Sequence, residues 1–318
     1  MGLMDMLFGG KASKEERNIA RNTPNPIAAN VTGIQRDEAY LDTQRIPQLT
    51  DYVAQMIAAM IRNETQRPAI ELSPTNDAPS ITDTKVGGAF YVPPAIGTPK
   101  NKETGEPLFL IAQLNFAQLP HLDGFPQDGL LQFFIAGDDP LFGMDWDRLA
   151  LQRSWRIRYI PMPDDTAHGR IVRPRWKDDT DLPLGGPDVE FRLEPQLTTQ
   201  AMSTSDFRFE AMLQRCLNAL NDRDRDFFAT HDAEIRDTLT DVMGGDGMRI
   251  GGYPVFTQDD PRGGGSTMDR ATTLLLQLDS LDDGRLMFGD TGVMNFLIEP
   301  DRLRRLDFSQ VLYTWDCY

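Results

Sequence analysis

Leu110-Ile111-Ala112-Gln113-Leu114-Asn115 and Leu274-Leu275-Leu276-Gln277-Leu278-Asp279 follow one pattern, an apolar run carrying a glutamine at its fourth position. Upstream of the first lies Lys85-Val86-Gly87-Gly88, and upstream of the second Arg249-Ile250-Gly251-Gly252. From the second glycine to the glutamine both steps are 25 residues (113 − 88 and 277 − 252). A third pair follows in the same order, Gly129-Leu130-Leu131-Gln132-Phe133-Phe134-Ile135 and Gly292-Val293-Met294-Asn295-Phe296-Leu297-Ile298, displaced by one insertion or deletion. Three blocks in one order predict a duplicated unit. The expected fold class is α+β, with two similar, mainly antiparallel sheet repeats and peripheral helices.

Working outward, Leu108 to Leu114 reads as a strand buried on both faces, and Leu130 to Ile135 as its antiparallel neighbour. Trp155, Ile157 and Tyr159 alternate with Arg156 and Arg158, the period of a half-buried strand. Phe90 to Val92, Ala69 to Leu72 and Phe191 to Leu197 are further strands. In the second repeat, Leu274 to Leu278, Leu286 to Phe288, Met294 to Ile298 and Val311 to Tyr313 are read as strands. Ile46, Leu49, Val53, Met56, Ile57, Met60 and Ile61 form one helical stripe, predicting a helix over about 47–62 with Pro47 in its first turn, packed on the duplicated body. Further helices are expected near 206–221, near 230–243 and shortly after Pro300. Residues 1–40 read as a mobile leader, and 41–318 as a single domain of two repeats, about 80–200 and 206–318.

Composition narrows the function. Hydrophobic residues at 40% and charged residues at 25% are those of a soluble globular protein. A net charge of −16 repels nucleic-acid phosphates, so general nucleic-acid binding is not expected. The one basic stretch, Arg153 to Lys177, is interrupted by apolar residues and by Asp164 and Asp165, and reads as solvated strand faces. Two cysteines, Cys216 and Cys317, cannot build a disulfide framework, which fits a reduced cytoplasm. No apolar run approaches the roughly 20 residues that span a bilayer, so stable membrane insertion is not expected. Met1 to Phe8 is apolar but too short for a signal-peptide core and reads as a frayed terminus.

Arg249-Ile250-Gly251-Gly252-Tyr253-Pro254, Gln258-Asp259-Asp260-Pro261-Arg262, Leu275-Leu276-Gln277-Leu278-Asp279-Ser280, Gly289-Asp290-Thr291-Gly292, and Asp307-Phe308-Ser309 through Trp315-Asp316-Cys317 together resemble the YwqG-like family of bacterial proteins. The first-repeat blocks resemble it too, so the likeness spans roughly 80–317. It departs at Phe288, where that family commonly has tryptophan. The resemblance implies an α+β fold of two similar halves and no known activity. Some members are encoded near toxin and immunity genes, which implies toxin neutralisation by association only.

The candidate site residues are Gln113, Gln277, Asp259, Asp260, Arg262, Asp279 and Asp290. The two glutamines sit in apolar strands and must be hydrogen-bonded. They serve either as ligand-reading amides or as partners for backbone groups of each repeat's Gly-Gly turn; the matched spacing favours the second. The carboxylates fall on strand ends and turns, where aspartates usually bond local N–H groups. Three histidines, His121, His168 and His231, show no ligand spacing, and no metal or cofactor is expected. Gly289-Asp290-Thr291-Gly292 lacks the Lys-Ser/Thr of a phosphate loop and reads as a hairpin turn. Two functions follow as expectations. One is an uncharacterised cytoplasmic binding protein, with a groove between its halves and a basic protein as partner. The other is a hydrolase or other enzyme using the carboxylates of the second repeat.

Overall fold

The computed structural model describes residues 38–161 and 170–318, so the Met1–Phe8 segment, nearly all of the leader and His168 lie outside the described residues. The chain divides into two compact units, Met1–Leu49 and Thr50–Tyr318. Of the first, only the start of a helix, α1 (Glu38–Thr65), is described.

The second unit is built on a ten-stranded antiparallel sheet. Its strands are β1 (Arg67–Pro74), β2 (Lys85–Gly87), β4 (Phe109–Asn115), β5 (Leu130–Ile135), β6 (Arg156–Ile160), β8 (Glu190–Gln200), β9 (Arg249–Gly251), β10 (Thr273–Asp279), β11 (Val293–Ile298) and β12 (Val311–Asp316). The order across the sheet is β12-β11-β10-β9-β1-β8-β2-β4-β5-β6. Strands β1 and β8 form the spine, paired from Arg67↔Gln200 to Pro74↔Leu193. To one side run β2, β4, β5 and β6; to the other run β9, β10, β11 and β12. Each arm ends its short first strand in a glycine pair with positive φ, Gly87 and Gly88 (68° and 78°) and Gly251 and Gly252 (71° and 62°). A side chain at Gly251 would sit 2.9 Å from the Pro68 carbonyl oxygen, so the turn requires glycine on steric grounds as well. Strands β3 (Phe90–Val92) and β7 (Arg170–Val172) form a separate ribbon.

The sheet curls until its arms face each other. Phe133 of β5 meets Phe296 of β11, with ring centroids 4.8 Å apart. Phe296 stacks on Tyr313 of β12 at 4.9 Å and 10°, and Trp155, just ahead of β6, lies 5.1 Å from Tyr313. These rings fill the space where a groove between halves was expected. The exposed edge of β12 is covered by the β5–β6 connection: Tyr313 N donates to Leu149 O at 3.1 Å and Trp315 Nε1 to Leu141 O at 3.0 Å. Covering an edge in this way withholds it from pairing with other chains.

A second core lies among the helices α1, α2 (Phe209–Ala219), α3 (Asp222–Thr230) and α4 (Asp232–Met243). Val53, Ala54, Ile57, Ala58 and Ile61 of α1 pack there with Leu213, Ile235 and Tyr253, so most of the predicted stripe is right and its principal partner is the helical layer. The helix starts earlier than expected, and Pro47 sits inside it. Glu38, Ala39, Leu41 and Gln44 are good helix formers and carry the helix upstream of a proline read as its start. Its C-terminal end is tied down by Tyr253 Oη donating to Thr65 O at 2.8 Å, and by Met202 N donating to Thr65 Oγ1 at 3.0 Å. Helix α3 has no apolar period and was not expected; Asn221 caps it by accepting from Asp224 N at 3.0 Å. Leu286 to Phe288, read as a strand, makes only an isolated bridge, Leu184↔Leu286. A last short helix, α5 (Pro300–Arg304), follows β11.

Among the described residues, no helix is long and apolar enough to cross a membrane.

Candidate functional site

The two glutamines are fully buried, and their bonds are to the backbone and, for Gln113, also to Gln132 on the adjacent strand. Gln113 Nε2 donates to Ile81 O (3.1 Å) and Asp83 O (2.9 Å), and its Oε1 accepts from Gln132 Nε2 at 3.0 Å. Gln277 Nε2 donates to Gly245 O (3.3 Å) and Gly247 O (2.8 Å), and its Oε1 accepts from Val255 N at 2.9 Å. Their donor bonds go to the segment ahead of the short first strand of each arm and not to the Gly-Gly turn behind it. Each glutamine is registered opposite a buried cation, Lys85 on β2 and Arg249 on β9. Lys85 Nζ donates to Ala89 O at 2.5 Å. Burial pushes the Lys85 ammonium down to about 8, with Glu190 pulling the other way. Burial likewise pushes Arg249 down to about 10, and its guanidinium gathers the carbonyls of Gly245, Asp246 and Gly247. These amides are saturated by the fold, which leaves little for a ligand to read.

The carboxylates fall into three places. Asp279 accepts from Gly247 N at 2.6 Å beside Arg249, and burial raises its carboxyl. Asp290 is exposed in the β10–β11 connection. Asp259, Asp260 and Arg262 lie together at a third place, where they meet a segment that was not singled out, Asp206-Phe207-Arg208.

There an open cleft of about 420 Å³ runs between the Thr204–Phe209 and Gln258–Gly263 segments. Its floor is an interlocked ion network. Asp260 accepts from Arg262 Nε (2.8 Å), Arg262 Nη2 (2.6 Å) and Phe207 N (3.0 Å). Asp206 accepts from Arg208 Nε and Nη2, both at 2.7 Å, and from Arg262 Nη2 at 3.3 Å. Arg262 Nη1 donates to Ala271 O at 2.9 Å, and the Phe207 ring lies 4.7 Å from its guanidinium. Burial works to raise the Asp206 carboxyl, but the bonds and charges of Arg208 and Arg262 outweigh it and hold the group below its ordinary value. Two carboxylates and two guanidiniums thus neutralise one another. A clue existed in the sequence: Asp206-Phe207-Arg208 and Asp260-Pro261-Arg262 share one Asp-x-Arg spacing, and in both the arginine folds back on its aspartate.

The rim is different. Asp259 and Glu210 are exposed, and only Glu210 has a cationic partner, Arg236 at 2.6 Å. Behind the rim, Asp316 accepts from Gln258 N at 2.9 Å, and burial, with Asp259 adding to it, raises its carboxyl. Among the described residues lining the cleft, no nucleophile is paired with a base. His121 is bonded to exposed Asp123, His231 packs on Phe227, and burial pushes the Cys216 thiol up to about 11. Among the described residues, no group of three or more His, Cys, Asp or Glu side chains is placed to hold a metal ion.

A family model described as a domain of unknown function (DUF1963) matches residues 84–317. No curated protein matches the chain.

Proposed function

The chain belongs to the DUF1963 family, and we propose that it is a binding protein whose acidic cleft face takes a basic protein partner. One observation carries this reading: the deep carboxylates of the cleft are already neutralised by Arg208 and Arg262, which leaves Asp259 exposed on the rim without a cationic partner among the described residues, beside Glu210, which Arg236 holds. Helices α3 and α4 add exposed Asp226, Glu234, Asp237 and Asp241, which make no ion pair among the described residues, while Asp222 and Asp232 are paired with Arg225 and Arg236. Such a surface steers a cationic partner and orients it on encounter. The rival, a carboxylate-dependent hydrolase, needs acids that converge on one reacting atom. Asp260, Asp279 and Asp290 are held by three different parts of the fold, which weighs against it.

Toxin neutralisation is the finer form of this reading and rests on the YwqG-like likeness alone. That likeness and the DUF1963 match describe one domain in this proposal, since they cover nearly the same residues. A cytoplasmic location is proposed with it, in keeping with two free cysteines.

The test is capture of the partner by the wild-type protein and by an Asp259→Asn/Glu210→Gln variant, with cross-linking to locate the contact. Cross-links at the cleft rim and weakened capture by the variant support the reading. A partner that is itself acidic, or cross-links confined to another face, contradict it.

A further inference from the structure

The basic stretch that the proposed function leaves unused does not behave as one surface. Arg153 pairs with Glu103, Arg173 with Glu190 and Lys177 with Glu106. Among the described residues, Arg156, Arg158, Arg170 and Arg175 make no ion pair, and of these Arg175 is exposed and makes no hydrogen bond to the Ile96–Gly97 loop. Arg156 and Arg158 point to the same side of β6, since side chains two apart on a strand share a face. Arg158 Nη2 donates to Gly97 O at 2.9 Å and Arg170 Nη2 to Ile96 O at 3.3 Å, so two guanidiniums rest on consecutive carbonyls of one loop. Arg156 reaches Gln152 O at 3.1 Å.

The arrangement is costly as it stands. Arg156 and Arg158 are half-buried, and Arg156 Nε and Arg158 Nη1 are buried without a hydrogen-bond partner. Burial, and for Arg158 also the charge of Arg156, works against both guanidiniums. Like charges desolvated side by side without a counterion are unfavourable, and an anion against their accessible edges offsets that cost. In a chain of net charge −16 a concentration of unpaired positive charge stands out. Arg153, Arg173 and Lys177 along the stretch are neutralised in place, so the free charge is interrupted and does not form the stripe that a nucleic-acid backbone needs.

We propose that Arg156, Arg158 and Arg170 form a binding site for a single oxyanion group, a phosphate or a carboxylate carried on a small ligand. Arginine suits this role because its planar fork matches both groups. The test titrates the protein with inorganic phosphate, and separately with acetate, at constant ionic strength, following backbone amide chemical shifts by NMR. Saturable shifts centred on β6 and the Ile96–Gly97 loop are expected with at least one of the two anions. Arg170→Gln, an exposed change that the fold tolerates, and Arg156→Gln are each expected to weaken binding about tenfold, the loss of one charge-assisted hydrogen bond. Equal affinity in wild type and both variants, or shifts that never saturate, overturn the proposal. So does binding that appears only when Asp164 and Asp165 are changed to asparagine, because the counterion would then be the chain's own. Tight binding of an oligonucleotide with a steep salt dependence also overturns it, in favour of a polyanion track.

Discussion

Gln113 and Gln277 each donate from Nε2 to two backbone carbonyls lying 32 and 30 residues earlier in the chain, Ile81 and Asp83 in one case and Gly245 and Gly247 in the other. The match extends sideways. Lys85, Gln113, Gln132 and Arg158 are registered across β2, β4, β5 and β6, and Arg249, Gln277, Asn295 and Thr314 across β9, β10, β11 and β12. Each arm therefore carries one polar row through an apolar sheet. Duplication of an ancestral unit is the proposal these offsets support; a comparison of the two arms in other family members that lost the equal spacing would count against it.

Gln277→Leu is expected to destabilise the fold by about 1–3 kcal/mol, because it leaves Val255 N without its acceptor and takes one of two donors from each of the Gly245 and Gly247 carbonyls, which keep only Arg249. Gln113→Leu is expected to do the same through Ile81, Asp83 and Gln132. Urea unfolding followed by circular dichroism measures both. A midpoint equal to wild type for either variant would show that its amide is not needed.

Phe296→Ala removes the ring that touches Phe133, Trp155 and Tyr313 at once. The expected cost is about 3–5 kcal/mol, the range for truncating a buried aromatic. Because the loss falls where the arms meet, protection from hydrogen exchange should fall in β5 and β12 together. A loss confined to β11 and β12 would show that the arms are stable independently.

Lys85 gives a pH signature with a definite sign. Its folded-state value of about 8 lies below the ordinary 10.5 because the group is buried. Between those values the unfolded chain holds a proton that the folded chain has released, so this group makes stability rise with pH across that window. The rise is about 3 kcal/mol at most. Lys85→Met is expected to abolish it, so the difference between the two stability profiles narrows from pH 8 to 10.5. Parallel profiles would place the ammonium in solvent.

Much of this architecture was legible in the sequence, and the reasons are local. Strands β4, β5, β10 and β11 are long apolar runs with turn residues at their ends, so their type, and the pairing of β4 with β5, could be read directly. Helix α3 was missed because Asp222-Arg223-Asp224-Arg225-Asp226 carries no apolar period. The start of α1 was misplaced because a proline usually marks a first turn, and here sits within the helix. The site was harder to read. Asp259, Asp260 and Arg262 do share one place, but their essential partners, Asp206 and Arg208, arrive from a segment more than fifty residues away. The expected groove between halves did not account for the curl of the sheet, which only long-range contacts such as Phe133 with Phe296 determine.

The most direct test of the acidic binding face is the association rate of its captured protein partner, measured from low salt to physiological salt with wild type and with the Asp259→Asn/Glu210→Gln variant. Exposed charges are screened beyond about 8–10 Å at physiological ionic strength, so the wild-type rate should fall as salt rises. Dissociation should change less, because steering acts on encounter. The variant should start slower and show a shallower slope. A wild-type association rate that ignores ionic strength, or a variant that matches wild type at every salt concentration, would contradict the acidic cleft as the binding face.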